Sequence, residues 1–356
     1  MSAYEPAVDV AVVAVAQTQA AAISLTEVEI MLPLINAARD AVGITQDRIG
    51  FTCSGSSDFL AGQAFSFVQS LDAVGPYPCI SESHVEMDGA WALYEAWVKM
   101  QLGEVDAALV FSYGRSSPGS LRDVLATQLD PYYLAPLWPD AFALAGIQAR
   151  LLLESGVITE AEMAEAAAAA RTAAVTGNPD AVRSGEVSAE ELLRAPYVAD
   201  PLRAHDLPAA ADGGVAVILA AGDLARELCE RPAWIRAVDH RIDSHQLGVR
   251  DLTSVSSASA AAERVGAASR SFDLAELHAS FSFEVPLLRR ALGLGADVSV
   301  NPSGGALVAD TMMASGLMRI AHAAERIHRG EAGSALAHAT SGPCLQQNLL
   351  CVLEGD

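Results

Sequence analysis

The sequence predicts an α/β fold, because short runs of Val, Ile and Ala alternate with longer segments of helical apolar spacing. The run VDVAVVAVAQT (8–18) is typical of a buried strand. The segment SLTEVEIMLPLINAARDAVG (24–43) follows as a helix that either Ser24 or Thr26 caps. With 356 residues, 51% of them hydrophobic, the chain can bury one large core or two of ordinary size.

The same alternation continues through the first half of the chain. RIGFTCSGS (48–56) predicts a strand, FLAGQAFSFVQSLDAV (59–74) a helix, and EVDAALVFSYGRSS (104–117) a strand that runs into a loop. Between them, SESHVEMDGAWALYEAWVKM (81–100) runs from a polar, acidic segment through the bend Asp88-Gly89-Ala90 into helical spacing. Such a junction places its residues at the positive end of a helix dipole, where catalytic groups are often found.

Residues 118–205 differ in character, with proline and aromatic residues at 129–146 and a strongly helical stretch at 159–174. We expect this region to be an insertion of loops and helices. The pattern then restarts, with strands at 212–220 and 232–242 and a segment at 274–284 that leads into the helix VPLLRRALGL. A glycine turn and long helix at 301–330 and a strand-loop-strand unit at 333–355 follow. This weak duplication of about 150 residues predicts a first half (1–117 with 206–225), an insertion (118–205) and a second half (226–356).

Charge and composition narrow the function classes. The formal net charge of −22 disfavours nucleic-acid and anionic-membrane partners, and no apolar run predicts a membrane span. Five cysteines without CxxC spacing, and no signal-peptide pattern, predict a cytoplasmic protein with reduced thiols. Scattered histidines predict no metal site, and Lys99, the single lysine, lies inside a predicted helix, which disfavours imine chemistry.

Four motifs follow one another along the chain: EMDGAWAL (86–93), ELHASFSFE (276–284), NPSGGAL (301–307) and HATSGPCLQQNLLCVLEG (338–355). Together they resemble the thiolase superfamily, and within it the sterol carrier protein X type. They are similar to its Cys-Ala-Ser-Gly nucleophile motif, its ELHDCFS or NEAFA segment, its Asn-x-x-Gly-Gly-Ala turn and its closing motif. The resemblance implies a thiolase fold, five-layered αβαβα and built from two similar halves. It also implies an obligate dimer, coenzyme A thioesters as substrates and no bound cofactor.

Two thiolase catalytic groups have no counterpart in the aligned motifs. Gly89 aligns with the glycine of the nucleophile motif, which puts Glu86 where a thiolase carries its cysteine. The segment VADTMMASG (308–316) replaces the Gly-His-Pro segment, with Asp310 or Thr311 near the missing histidine. The chain thus resembles more closely the lipid-transfer-protein type of bacterial steroid side-chain breakdown. Some of those proteins are retro-aldolases of β-hydroxyacyl-CoA that work with a small OB-fold/zinc-ribbon partner. They use tyrosines in the C-terminal half, whereas this chain has none after Tyr197.

The resemblance selects four catalytic candidates. His278 stands in the segment that supplies oxyanion stabilisation or proton transfer in relatives. Cys344 lies near the acid/base cysteine of thiolases, although a free cysteine is also a usual core residue. His338 ends the strand before it and either reaches the same pocket or is a strand-end histidine. Glu86 is either an acid or base at the nucleophile position or a residue that favours the helix dipole.

The glycine turn supplies the candidates for substrate binding. Ser303, Gly304 and Gly305 form a turn whose backbone amides can approach a ligand, or else an ordinary turn before a helix. Asp310 either substitutes for the missing histidine or caps the helix that follows.

We expect an enzyme that cleaves a carbon–carbon bond of an acyl-CoA by retro-aldol chemistry, in steroid or related lipid side-chain degradation. The alternative is a non-catalytic thiolase-like subunit that pairs with a catalytic paralogue. A third reading is a true acetyl-CoA acyltransferase that works through Cys344. The expected assembly is a homodimer, or a heterodimer with a thiolase-like paralogue, with a small OB-fold/zinc-ribbon protein as a further partner.

Overall fold

The computed structural model describes residues 6–75 and 77–356. Its strands are β1 (Val10–Ala20), β2 (Phe51–Gly55), β3 (Glu82–Val85), β4 (Ala107–Gly114), β5 (Tyr197–Ala199), β6 (Leu202–Arg203), β7 (Asp212–Ala221), β8 (Ala233–Ile242), β9 (Leu274–Leu277), β10 (Ser299–Val300), β11 (Ser334–Ser341) and β12 (Gln347–Glu354). Its helices are α1 (Glu27–Val42), α2 (Asp58–Ala61), α3 (Phe67–Val74), α4 (Gly89–Gln101), α5 (Leu121–Thr127), α6 (Ala141–Glu154), α7 (Glu160–Gly177), α8 (Ala189–Leu193), α9 (Gly222–Leu228), α10 (Ser256–Arg264), α11 (Glu284–Ala291) and α12 (Ser315–His328).

Two five-stranded units with the same topology form the main sheet. The strand order is β3-β2-β4-β7-β1 in the first unit and β10-β9-β11-β12-β8 in the second. In each unit the first three strands of this order pair in parallel. The remaining two pairings, between the third and fourth and the fourth and fifth strands, are antiparallel. A short antiparallel pairing of β1 with β8 joins the units. The repeated order and direction are what an internal duplication produces.

Helices cover both units in five layers. Helices α4 and α12 pack against each other, α4 against β2 and β4 and α12 against β9 and β11. The apolar core around these two helices draws residues from both sheet units, so the pair forms a central layer. Helix α1 packs on β1 and β7, and α10 on β8 and β12, over separate cores. The predicted α/β, five-layered αβαβα architecture is therefore confirmed.

Local sequence explains where several elements begin and end. Thr26 caps α1, and Glu29 completes a capping box with it, which resolves the choice between Ser24 and Thr26. The strand expected before His278 is β9, which ends at Leu277, and α11 begins at Glu284. Strands β3 and β10 were not predicted, since one is a short polar edge strand and the other has two residues.

The prediction of a continuous helix over 59–74 is wrong. Helix α2 ends at Gly62, whose backbone is left-handed with φ of 72°, and α3 begins at Phe67. The Asp58 carboxylate accepts hydrogen bonds from the backbone amides of Phe65 at 2.8 Å and Ser66 at 2.9 Å. This side-chain cap holds the intervening turn in place of further helix.

The region 118–205 contains helices α5 to α8 and the small sheet of β5 and β6. The limits of the three predicted segments stay predictions. Among residues 6–75 and 77–356, no helix combines the length and apolar character that a bilayer crossing requires.

Candidate active site

The junction of β3 and α4 is built around the buried carboxylate of Asp88. This residue is the N-cap of α4 and accepts a hydrogen bond from the Ala90 amide at 2.8 Å. Its oxygens also accept hydrogen bonds from the amides of Gly316 at 2.7 Å and Leu317 at 3.0 Å, at the start of α12. Burial raises the pKa of Asp88, against the opposing effects of nearby His278 and the three amides. One carboxylate thus caps both central helices.

A turn from the second half completes this junction. The Gly89 amide donates to the Met313 carbonyl at 2.8 Å, and the hydroxyl of Ser112 also donates to that carbonyl. A β-carbon on Gly89 would lie 2.5 Å from the β-carbon of Ser112 and 2.8 Å from Leu317 Cδ2. Gly89 is therefore required by close packing between the two halves.

A cavity of about 430 Å³ opens beside the junction. Glu86 and Met87 form one wall, Met313 and Ser341 contribute from the second half, and Gln128 comes from the insertion. Ser57, Phe59, Thr127, Leu129 and Pro131 complete the lining. This volume lies within the range of small-molecule sites. The acidic residue of the lining is Glu86, and the amide of Gln128 and the hydroxyl of Ser341 can donate hydrogen bonds.

Neighbouring groups hold the Glu86 side chain, which is 46% exposed. Glu86 Oε1 accepts a hydrogen bond from the Asp58 amide at 2.6 Å, and Oε2 lies 3.6 Å from His84 Nε2. His84 Nδ1 lies 3.1 Å from the hydroxyl oxygen of Ser54, and the Phe67 ring stacks on the imidazole with centroids 4.4 Å apart. The carboxylate therefore faces the cavity in a fixed position beside a fixed imidazole.

His84 was not among the residues selected from the sequence. Residues two apart on a strand point to the same face, so the spacing of His84 and Glu86 would have placed them together if β3 had been predicted. The register of β2 and β3 also pairs Ser54 directly with His84. The missing signal was the strand itself.

His278 lies behind this junction and is 6% exposed. Its Nε2 is 3.8 Å from Asp310 Oδ1, and its Nδ1 accepts a 3.4 Å hydrogen bond from the Thr340 amide. Hydroxyl groups of Ser280 and Ser315 donate to the two oxygens of Asp310, each at 2.7 Å. Both ring nitrogens of His278 thus lie near protein groups, and its role in an oxyanion hole stays a prediction.

The charges around His278 shift one another's protonation. Burial disfavours the imidazolium, but the carboxylates of Asp310 and Asp88 outweigh it and raise the pKa of His278. Burial alone would raise the pKa of Asp310, yet His278 and the two hydroxyl groups lower it. Burial raises the pKa of the nearby Glu284 to about 7, although the Phe281 amide donates to it. Glu284 is a further buried acid that the sequence reasoning missed.

His338 and Cys344 lie apart from the cavity wall. The fully buried His338 has its Nε2 2.9 Å from Asn348 Oδ1, and burial lowers its pKa to about 3, which keeps it neutral. Cys344 packs with Leu144 and Leu252, and burial raises the pKa of its thiol to about 12. Neither His338 nor Cys344 is among the described residues that line the cavity at Glu86.

Ser303 belongs to a buried polar network and does not line the cavity at Glu86. Its hydroxyl donates to Glu276 Oε2 at 2.7 Å and its amide to Oε1 at 2.9 Å. Arg319 Nη1 donates to the Ser303 oxygen at 2.8 Å and lies 3.1 Å from Glu276 Oε2, with both charged side chains fully buried. The network fastens the glycine turn to α12.

The two glycines of this turn are explained by packing. Gly304 has φ of 87°, and a β-carbon there would lie 2.7 Å from Val308 Cγ2 and 2.8 Å from the Ala170 carbonyl oxygen. Gly305 has φ of 69°, and its β-carbon would lie 2.5 Å from Asn301 Nδ2. Their role in substrate binding stays a prediction, because neither lines the cavity at Glu86.

Known proteins with this architecture include enzymes of two kinds. The Ltp2-ChsH2(DUF35) aldolase has a TM-score of 0.79 at 17% identity and covers 99% of both chains. Human mitochondrial 3-ketoacyl-CoA thiolase has a TM-score of 0.78 at 17% identity, over 98% of this chain and 99% of its own. A monomeric SCP2-thiolase like protein type 1 from Mycobacterium smegmatis has 0.76 at 18% identity, over 98% of this chain and 77% of its own.

One curated relative is more similar in sequence over part of the chain. The acetyl-CoA acetyltransferase of Methanothermobacter thermautotrophicus is 31% identical over 182 residues, or 44% of this chain. The match spans 47% of that enzyme, so the chain corresponds to about half the length of this relative. No family model matches the chain. The repeated sheet units, the paired central helices and these structural neighbours together establish that the chain has the thiolase fold.

Proposed function

We propose that this protein is a lyase that cleaves the Cα–Cβ bond of a β-hydroxyacyl-CoA by retro-aldol chemistry. The observation that carries the proposal is the Glu86 carboxylate on the wall of the cavity, where the resemblance of the motifs would place the cysteine of a thiolase. A carboxylate suits proton transfer, whereas thioester exchange needs a thiolate. An aldolase is among the neighbours that share this fold, beside a 3-ketoacyl-CoA thiolase of nearly the same TM-score, so the fold accommodates the proposed chemistry.

In the proposed reaction Glu86 removes the proton of the substrate's β-hydroxyl group. The C–O bond becomes a carbonyl, the Cα–Cβ bond breaks, and its electron pair passes to Cα as a thioester enolate. Gln128 and Ser341, which line the same cavity, donate hydrogen bonds to the enolate oxygen. Return of the proton to Cα gives a shortened acyl-CoA and an aldehyde or ketone, so the reaction balances without an added oxidant or cofactor.

His84 is proposed to position Glu86 without touching the substrate. Its Nε2 is 3.6 Å from the carboxylate, while Ser54 and Phe67 fix the other sides of the ring. His278 and Asp310 have a similar indirect role, because they hold the turn that carries Met313 to the cavity. Steroid or related lipid side chains are the proposed source of the acyl group, in agreement with the resemblance of the motifs.

The proposed active form is an assembly, either a homodimer or a heterodimer with a thiolase-like paralogue, with a small OB-fold/zinc-ribbon protein as a possible addition. Strand β3 is at the edge of the sheet and its first residue, Glu82, is exposed, so its backbone can pair with another chain. Phe59 and Phe65 are 52% and 72% exposed. Sedimentation of the purified chain, alone and with candidate partners, measures the assembly, and a catalytically active monomer would contradict it.

The test is product analysis with β-hydroxyacyl-CoA substrates, using the chain alone and with its candidate partners. We expect release of a carbonyl compound together with a shortened acyl-CoA. His84→Gln should lower turnover and change its pH profile, whereas Asp40→Ala, which removes an exposed carboxylate from α1, should not. Absence of carbonyl release under every condition would refute the lyase. Unchanged turnover of a complex carrying Glu86→Gln would favour the non-catalytic subunit.

A further inference from the structure

A second pocket, of about 260 Å³, lies between α7, α8 and the segment 204–205. It shares no lining residue with the cavity at Glu86. Its polar side chains are those of Arg171, Arg183 and His205, and alanine, leucine and valine residues form the rest. Two arginines in one apolar pocket are unexpected in a chain that has 44 acidic and only 22 basic residues.

Neither pocket arginine forms an ion pair with a carboxylate among residues 6–75 and 77–356. Arg183 Nη1 donates only to the backbone carbonyls of Ala204 at 3.3 Å and Leu207 at 2.6 Å. By contrast, Arg203 nearby has Glu160 at 2.7 Å. The pocket therefore holds positive charge that the described part of the chain does not neutralise.

Buried polar atoms in this pocket also lack partners. Arg171 Nε and His205 Nδ1 are buried without a hydrogen bond in the described structure. The His205 side chain is 7% exposed, and its other ring nitrogen lies 3.5 Å from Asp206. The Asp206 carboxylate is already engaged by the Ser282 hydroxyl and the Arg203 amide. An unsatisfied buried donor is unfavourable, so a ligand that accepts a hydrogen bond from Arg171 Nε is favoured here.

The electrostatics favour an anion as that ligand. Burial, followed by the like charge of Arg171, lowers the pKa of Arg183. Two neighbouring cations in a partly dry pocket repel each other, and a shared anion converts this repulsion into attraction. Guanidinium groups match the oxygens of phosphate in particular, because their N–H groups form a planar fork.

We propose that this pocket binds a phosphate group through Arg171, Arg183 and His205. The phosphate is either free, as inorganic phosphate or a small phosphomonoester, or part of a coenzyme A thioester. The second source rests on the proposed function, whereas the first does not. The pocket volume accommodates a phosphate with a small substituent and leaves the rest of a larger ligand outside.

In the test, calorimetry measures the binding of inorganic phosphate to the chain at constant ionic strength. Arg171→Gln should weaken binding at least about tenfold, which corresponds to about 1.4 kcal/mol. Arg194→Gln is the matched control, because Arg194 lies next to α8 but is exposed and paired with Glu190. Its affinity should equal that of the wild type. Arg183→Lys, which keeps the charge, should retain part of the affinity.

A second readout separates ligand binding from a structural role. In phosphate-free buffer Arg171→Gln should melt no lower than the wild type, because it removes a repelling charge. Phosphate should raise the melting temperature of the wild type but not of this variant. Displacement of phosphate by coenzyme A would identify the thioester as the source, and no displacement would identify a free phosphate. Equal phosphate binding by the wild type and Arg171→Gln, or none by either, would overturn the proposal, whatever the result for carbon–carbon cleavage.

Discussion

Replacement of Asp88 should weaken the contact between the two halves of the molecule. Its buried carboxylate accepts hydrogen bonds from Ala90 at the start of α4 and from Gly316 and Leu317 at the start of α12. Loss of one N-cap costs about 0.5–2 kcal/mol. Two helices share this cap, so Asp88→Ala should cost about 1–4 kcal/mol.

Thermal and denaturant unfolding measure this loss. For units of 150–250 residues, 1 kcal/mol lowers the melting temperature by about 2–4 °C, so the expected cost of Asp88→Ala corresponds to a decrease of about 2–16 °C. Asp88→Asn should cost less, because an amide oxygen in the place of Oδ1 can still accept from Ala90 and Leu317, while the amide nitrogen cannot accept from Gly316. The control is Asp40→Ala, which removes an exposed carboxylate from α1 and should stay within about 0.5 kcal/mol of the wild type.

The result that would refute this reasoning is a melting temperature for Asp88→Ala equal to that of Asp40→Ala. Such a result would mean that water replaces the carboxylate at both helix ends without cost. If limited proteolysis of the native variant showed loss of structure in only one half, the two caps would instead be independent.

Three further predictions concern buried charges and thiols. Because the pKa of Glu284 is raised to about 7, the stability it contributes is present below about pH 4.5 and is lost as pH rises to about 7. Glu284→Gln should therefore flatten the pH dependence of the free energy of unfolding between these values. An unchanged slope would contradict this prediction. Arg319→Met should cost about 3–5 kcal/mol by leaving the Glu276 carboxylate buried and unpaired, and a smaller loss with Glu276→Gln added would identify that charge as the cause. Iodoacetamide should label the exposed Cys79 well before the buried Cys344, as peptide mass spectrometry can measure, and early labelling of Cys344 would contradict its pKa of about 12.

The architecture could be predicted from the sequence because its main elements are long and strongly patterned. The runs at 8–18 and 212–220 became β1 and β7, and the buried strands match their expected positions within a few residues. Short elements were missed, since β3 is polar and exposed and carries little apolar periodicity. That omission concealed His84, which depends on strand geometry to reach Glu86.

The candidate site was predicted only in part, because motif position does not determine side-chain direction. Glu86 lies on the cavity wall, and its catalytic role stays a prediction. His278 lies close by but faces Asp310 and Thr340. Ser303 is engaged by a buried ion pair, which no local pattern reveals, because Glu276 and Arg319 are far apart in sequence. Such contacts appear only when the two halves are assembled.

The central claim is that Glu86 is the base of a carbon–carbon cleavage reaction. The measurement that tests it most directly is the rate of carbonyl release from saturating β-hydroxyacyl-CoA by Glu86→Gln and by the wild type. General base catalysis accounts for about 10²–10⁴ in rate, so the variant should lose at least about a hundredfold while it binds substrate and melts as the wild type does. Equal rates for the two proteins, or a wild-type rate abolished by alkylation of its thiols, would contradict the claim.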